Sequence, residues 1–71
     1  MENHTNGQYV ICGGSDQYWV GTNAKTLAFA KTAASKKYQP MVGMKIEVAQ
    51  VFDNQYVRVA VKYGYDKWTQ A

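Results

Sequence analysis

One segment of this chain, residues 24–37, is the only one in which apolar residues follow the period of an α-helix. At about 100° per residue, Leu27, Ala30 and Ala34 fall on one narrow stripe. Small residues in such a stripe let a helix lie close to a sheet, so we expect the helix to dock on strands. Phe29 lies off the stripe, and we favour a place at the rim of the core over the alternative of an exposed anchor for a partner.

The ends of the predicted helix are marked by local signals. Thr22 or Asn23 can accept hydrogen bonds from the free amides of a first turn, so we expect the helix to begin near Ala24. It ends at Lys36 or Lys37, because the proline shortly afterwards disfavours helical backbone in the residue before it.

The remainder of the chain consists of short segments typical of β-strands. We predict strands over residues 8–12, 17–20, 44–50, 56–63 and 68–70, with turns at 13–16, 52–55 and 64–67. The resulting order is ββαβββ, an α+β fold with an antiparallel sheet of about five strands and one α-helix packed on one face. A chain of 71 residues predicts a single small domain, 1–71, in which we expect residues 1–7 to be flexible.

Alternation along the central strands predicts which residues face the helix. The expected inward set is Met44, Ile46, Val48, Val57, Val59 and Val61. The expected outward set is Lys45, Glu47, Ala49, Tyr56, Arg58, Ala60 and Lys62. One helix covers one face of a sheet, so the outward face meets solvent or a partner.

The chemistry of that outward face admits two interpretations. Its mixture of basic and aromatic residues is typical of contact with nucleic acid or with an acidic protein. The alternative, which these residues alone favour, is a solvated face on which Glu47 pairs with Arg58 or with a lysine.

Composition gives little support to catalysis. Cys12 is the sole cysteine and His4 the sole histidine, so we expect no disulfide within the chain, no metal site and no cofactor. We predict that Cys12 is a small buried hydrophobe and that His4 lies in the flexible terminus. The carboxylates fall mostly at the terminus or in turns, and none forms an evident catalytic pair. A binding protein is therefore predicted, and not an enzyme.

Charge and targeting signals bear on the choice of partner. The net charge of +3 suggests an acidic or phosphate-bearing partner without requiring one. The N-terminus lacks the regions of a signal peptide, and no apolar run reaches the length of a membrane span. We therefore expect a monomer in the cytoplasm that does not contact membranes.

Several short motifs occur together in the chain. They are Tyr9-Val-Ile11, Leu27-x-x-Ala30-Lys31-x-x-Ala34-Ser35-Lys36, Met44-x-Ile46-Glu47, Val59-Ala60-Val61-Lys62-Tyr63 and Lys67-Trp68. In these motifs the chain resembles the ninth family of type I-F anti-CRISPR proteins, small phage-borne inhibitors of the bacterial Csy surveillance complex. The resemblance implies a five-stranded antiparallel sheet with one helix, in agreement with the order predicted from the residues.

The resemblance also implies a partner and a set of contacts. The partner is the RNA-guided CRISPR surveillance complex, gripped at its backbone subunits so that target DNA cannot pair with the guide. The matching contacts are Lys31 and Lys36, with a glutamine role that falls to Gln39 or is replaced by Tyr38. The lysines could meet carboxylates or the phosphates of the guide RNA.

Non-specific binding of double-stranded DNA is a second property that the resemblance implies. The matching residues for it are Lys62 and Lys67. Taken without the resemblance, Arg58, Tyr56 and Lys62 suggest the alternative of a stand-alone small basic nucleic-acid-binding module. A further alternative is a small phage protein that dimerises through its edge strands.

Overall fold

The computed structural model describes residues 4–14 and 18–71 of the chain. The elements are β1 (Tyr9–Gly13), β2 (Val20–Gly21), α1 (Leu27–Tyr38), β3 (Lys45–Phe52), β4 (Gln55–Tyr63) and β5 (Thr69–Gln70). The strands form one antiparallel sheet in the order β2-β1-β3-β4-β5. The α+β fold predicted from the sequence is therefore confirmed. The predicted turn at 13–16 and strand at 17–20 extend into residues 15–17, which lie outside the described residues.

The helix begins later than predicted because a different threonine caps it. The hydroxyl of Thr26 accepts a hydrogen bond from the amide of Phe29 at 3.2 Å, and Thr26 itself has extended backbone. The predicted cap at Thr22 or Asn23 is therefore wrong. Thr22 instead uses its hydroxyl to donate to the carbonyl of Tyr9 at 2.8 Å, which ties the chain after β2 to β1.

The helix ends at Tyr38, one residue beyond the predicted limit. Gln39 follows in the left-handed region with φ of 46°, and its amide donates to the carbonyl of Ser35 at 3.0 Å. That bond satisfies one of the carbonyls left free at a helix C-terminus. Pro40 comes next and prevents the helix from continuing.

The main core lies between α1 and the sheet. Ala30 and Ala34, the small residues of the predicted stripe, are fully buried there, so that prediction is confirmed. The buried members of this core are Ile11, Ala30, Ala34, Ile46, Val48 and Ala60. Phe29 is 66% exposed, which favours the interpretation as an exposed residue over a place at the rim of the core.

A β-bulge in β4 divides that strand between the two sides of the sheet. Val48 pairs with Ala60, whereas the next residue of β3, Ala49, pairs with Arg58, so Val59 is an extra residue. Partners directly across two strands share a face. From Ala60 onwards, each residue of β4 therefore faces the opposite side of the sheet from the one that unbroken alternation would give it.

The bulge overturns part of the face assignment. Lys62 pairs with the core residue Ile46 and so lies on the helix side, as does Ala60, whereas Val61 pairs with Glu47 on the open side. The prediction that Lys62 and Ala60 face outward is therefore wrong. The predicted outward positions of Glu47, Tyr56 and Arg58 stand, because their alternation is not crossed by the bulge.

A second, smaller core lies on the open side of the sheet. Val10, Ala49 and Val51 are buried there, and Trp19 packs against them from the segment before β2. Ala49 was predicted on this side, but as an outward residue and not as part of a core. Because Val10 and Ala49 are paired across strands, the indole of Trp19 covers neighbouring side chains of one sheet row.

The segment before β1 is hydrogen-bonded to the far end of β3 and to the turn after it. Gly7 donates its amide to the carbonyl of Val51, and the side chain of Asn6 accepts from the amide of Asp53 at 2.9 Å. These bonds connect part of the segment that was expected to be flexible to the sheet. In the ranges 4–14 and 18–71, no helix has the length and apolarity to cross a membrane.

Candidate partner-binding surfaces

Three of the four contact residues expected on or just beyond the helix lie together at its C-terminus. We call this group, Lys36, Tyr38 and Gln39 together with Lys37, the helix-end surface. Lys36 and Lys37 are exposed in the last turn, where a positive charge interacts favourably with the negative end of the helix dipole. Gln39 is exposed in the cap. The surface therefore presents two ammonium groups and one amide to solvent.

The ring of Tyr38 holds the helix-end surface against the sheet. It lies over Gly13, where an added Cβ would come within 3.1 Å of the ring and 3.2 Å of Ile46. A glycine is therefore the residue that permits this close approach. The ammonium of Lys37 lies 5.7 Å from the centre of the Tyr38 ring, a cation–π distance. Tyr38 thus serves packing first, and its partly exposed edge is what remains for a partner.

Lys31, the fourth expected contact, lies apart from the other three. It lines a groove of about 530 Å³ between α1 and strands β4 and β5, together with Leu27, Gln50 and Trp68. Trp68 and Leu27 also pack against the main core, so the lining of the groove combines apolar side chains with polar ones such as Gln50. The partly buried Lys31 places one cation at the mouth of this groove.

The two lysines expected to contact DNA lie near the end of β4. Lys62 shares a sheet row with Gly13 and Ile46, the two residues beneath Tyr38, so it lies at the same end of the sheet as the helix-end surface. Its ammonium donates to the carbonyl of Asp66. Lys67 follows this turn and is exposed.

Arg58, the remaining expected DNA contact, is engaged within the open face. Its Nε donates to the carboxylate of Glu47 at 2.6 Å, and its guanidinium lies 5.7 Å from the centre of the Trp19 ring. The other oxygen of Glu47 lies 3.0 Å from the ammonium of Lys45. The pairing of Glu47 with Arg58 or a lysine, proposed from the sequence, is present with both partners.

These contacts set the ionisation of Glu47. Partial burial raises the pKa of its carboxyl, but the hydrogen bonds and positive charges of Arg58 and Lys45 together outweigh burial and leave the pKa below its ordinary value. The hydrogen bond between Lys45 and Glu47 also raises the pKa of Lys45. At neutral pH the triad therefore carries one negative and two positive charges.

A row of aromatic side chains, which was not predicted from the sequence, extends from this triad. The rings of Trp19 and Tyr56 are stacked at 26° with centres 5.8 Å apart, and His4 meets Tyr56 edge to face at 5.8 Å. Trp19 is next to a strand residue that faces the helix, and alternation around Val20 could have placed it on the open side. Its stacking with Arg58 depends on the register of distant strands, which no local signal gives.

A further surface, which we call the apolar tip, was also not predicted from the sequence. It consists of Met41 and Val42 in the turn before β3 and of Tyr63 and Tyr65 around the turn after β4, and all four are exposed. Val42, Tyr63 and Tyr65 line one shallow pocket of about 380 Å³. Two adjacent apolar residues in a turn were the available signal, because turns are usually polar.

Residues 4–14 and 18–71 contain no group of three or more His, Cys, Asp or Glu residues that could hold a metal ion. Cys12 is partly buried, on the open side of the sheet opposite Glu47, and not fully buried as predicted.

No protein-family model, no curated protein and no solved structure matches this chain.

Proposed function

We propose that this chain is a small inhibitor that binds an RNA-guided type I-F surveillance complex and prevents target DNA from pairing with the guide. It would act in the cytoplasm of an infected bacterial host as a binding protein without enzymatic activity. The observation that carries this proposal is the grouping of Lys36, Tyr38 and Gln39 at one helix end, on a sheet-and-helix fold of the kind that the resemblance implies.

The helix-end surface suits contact with protein carboxylates or with RNA phosphates. Lys36 and Lys37 are exposed, and no carboxylate within residues 4–14 and 18–71 forms an ion pair with them. Each exposed contact of this kind contributes about 0.5 to 1 kcal/mol, so several must act together for useful affinity. Lys31 adds a further cation one to two turns earlier along the helix, above its groove.

Steric obstruction is the mechanism that the charge of the chain favours. A guide-bearing complex presents a positively charged channel to nucleic acid. A mimic of DNA would be acidic, whereas this chain carries a net charge of +3. The inhibitor is therefore proposed to occupy the path of the DNA through specific contacts, and not to replace the DNA electrostatically.

Non-specific binding of double-stranded DNA is a secondary part of the proposal. Lys67 is exposed beside the β4–β5 turn, and Lys62 lies nearby, although its ammonium already donates to the carbonyl of Asp66. Arg58 contributes less, because its guanidinium is engaged by Glu47 and Trp19. This arrangement also weakens the alternative of a stand-alone nucleic-acid-binding module built on Arg58, Tyr56 and Lys62.

The test measures target-DNA binding by a purified type I-F surveillance complex with and without the protein, beside a control of protein and labelled DNA alone. The double variant Lys31→Glu/Lys36→Glu reverses the two matched charges. Lys25→Glu is the matched control, because Lys25 is an exposed lysine immediately before the helix cap. We expect the wild type and Lys25→Glu to abolish guide-directed binding and the double variant to lose inhibition.

Two results would contradict the proposal in different ways. Unchanged guide-directed binding in the presence of wild-type protein, with a salt-sensitive shift of DNA in the control, would support the nucleic-acid-binding module instead. Full inhibition by the folded double variant would keep the inhibitor but remove the helix as its contact surface.

A further inference from the structure

Exposed apolar side chains are concentrated at the apolar tip. Val42 is 85% exposed and Tyr65 71% exposed, and Met41 and Tyr63 are each more than half exposed. Single exposed hydrophobic residues are ordinary, but a contiguous group in a small protein marks a contact surface. Tyrosine and methionine are also among the residues enriched at protein interfaces.

The backbone beneath the apolar tip is held in place by hydrogen bonds. The amide of Gly64 donates to the carbonyl of Met44 at 2.7 Å, which joins the two turns that carry the exposed residues. Each turn is closed by its own bond of 3.0 Å, from Met44 to Met41 and from Asp66 to Tyr63. A surface fixed before binding loses less conformational freedom when a partner arrives.

Position 64 shows how closely the two turns approach. Gly64 has φ of +56°, and an added Cβ would lie 3.4 Å from the carbonyl oxygen of Met41. Both the backbone conformation and this contact favour glycine. The two turns therefore lie against each other and present the tip residues side by side.

The charges around the apolar tip indicate the chemistry of its partner. Lys67 follows Tyr65 by two residues and is exposed, and the ammonium of Lys62 bonds to the carbonyl of Asp66 in the same turn. Lys45 places its ammonium 5.7 Å from the centre of the Tyr63 ring, although that ammonium is also paired with Glu47. Asp66 is the acidic residue within this turn. A protein surface with an apolar pocket bordered by carboxylates is complementary to this arrangement.

We infer that the apolar tip is a principal anchor of this protein on the surveillance complex, where it enters an apolar pocket bordered by carboxylates. The inference rests on the proposed function, because it names the same complex as the partner. It assigns the main apolar burial to Val42 and Tyr65, and it leaves to the lysines of the helix-end surface the role of orienting the inhibitor. Interfaces commonly concentrate their energy in a few buried residues, and tyrosine is among the residue types most enriched there.

The experiment titrates fluorescently labelled protein with the purified surveillance complex and measures the dissociation constant. Val42→Asp and Tyr65→Ala alter the tip at its two most exposed positions. Tyr18→Ala is the matched control, because Tyr18 is 67% exposed and lies next to Trp19, before the edge strand β2. Phe52→Ala is a second control at the opposite end of β3.

Both tip variants are expected to bind at least about tenfold more weakly, whereas both controls stay within about twofold of the wild type. The circular dichroism spectrum and melting temperature should be unchanged in Val42→Asp and Tyr65→Ala, because neither side chain is buried. Wild-type affinity in both tip variants would overturn the inference and leave the proposed function standing. Absence of binding by the wild type would overturn both.

Two further measurements separate other occupants of the tip. Sedimentation of wild type and Val42→Asp over a range of concentrations would reveal a dimer formed through the tip. Vesicles of phosphatidylcholine with and without phosphatidylserine would reveal an anionic membrane as the ligand. A dimer or vesicle binding that is lost in the tip variants, while those variants keep their affinity for the complex, would overturn the assignment of the tip to the complex.

Discussion

The two sides of the sheet are stabilised in different ways. On the helix side, Val48 is buried in the core between the sheet and α1, together with Ala30, Ala34 and aliphatic residues of the strands. On the open side, Val51 is almost as deeply buried, and the indole of Trp19 packs against its small cluster. One side is covered by an element of secondary structure, and the other by an indole that is held between a guanidinium and a tyrosine ring.

The difference shows that a sheet face without a helix over it need not be available to a partner. The basic and aromatic residues of the open face are used to cover its own apolar centre, and Glu47 binds the two cations beside it. Partner contact is therefore proposed at the end of the molecule that carries the helix-end surface and the apolar tip. At that end Lys36, Val42 and Tyr65 are exposed to solvent, although Lys37 lies over the ring of Tyr38 and Lys45 over the ring of Tyr63.

The strongest test of this comparison removes the same atoms from each side. Val48→Ala is expected to lower the free energy of unfolding by about 3 kcal/mol, and Val51→Ala by about 2 kcal/mol. The cost is smaller on the open side because the indole of Trp19 can settle into the cavity, whereas the helix is held by several contacts. Urea unfolding followed by circular dichroism measures both values. A cost for Val51→Ala as large as that for Val48→Ala would show that both covers are equally rigid.

A second test removes the cover of the open side directly. Trp19→Ala exposes the cluster of Val10, Ala49 and Val51, and we expect a loss of about 2 kcal/mol because Trp19 is only partly buried. The neighbouring change Tyr18→Ala should cost less than about 0.5 kcal/mol, because that side chain is exposed. Equal unfolding midpoints for the two variants would mean that the indole does not stabilise the open face.

The smallest expected effect concerns the ion pairs of the open side. Glu47→Gln should cost less than about 1 kcal/mol at pH 7, because Arg58 and Lys45 remain largely exposed to solvent. The pKa of Glu47 is lower in the folded chain than its ordinary value of 4.5, so ionised Glu47 stabilises the fold above that pH. This contribution is lost as the pH falls through the lowered pKa.

The pH dependence provides the control for that prediction. Unfolding of wild type and Glu47→Gln is compared at pH 7 and at pH 3. The difference in stability between them should shrink at the lower pH, because pH 3 lies below the ordinary pKa of the carboxyl and the unfolded chain then takes up this proton more readily than the folded chain. A difference of the same size at both values would show that shape or packing, and not ionisation, distinguishes the two side chains.

The sequence predicted the fold where local period and burial agree. The stripe of Ala30 and Ala34 was identified from helical spacing, and the inward residues Ile46 and Val48 from strand alternation. Both predictions are confirmed because each pattern runs uninterrupted through its element. The sheet order follows from pairing between distant strands, so spacing alone left it open.

The failures have local physical causes. Val59 has the side chain of an ordinary strand residue, so nothing in the sequence marked it as the extra residue that reverses the alternation for Ala60 and Lys62. Thr22 and Thr26 are both competent helix caps, and their residue type does not distinguish them; in the structure the hydroxyl of Thr22 bonds to Tyr9 and Ala24, ahead of the helix, and Thr26 caps it. For the candidate surfaces, the apolar tip arises from two turns that the register of β3 and β4 brings together.

The bulge at Val59 also affects how substitutions can accumulate in this protein. In a regular strand, the residues that face the helix and those that face solvent alternate along the whole length. Here Tyr56 and Arg58 belong to the open side before the bulge, and Ala60 and Lys62 to the helix side after it. Substitutions at Lys62, near the proposed binding end, therefore fall on the opposite side of the sheet from Tyr56 and Arg58. The binding end could diversify in evolution without disturbing the stacked rings of the open face.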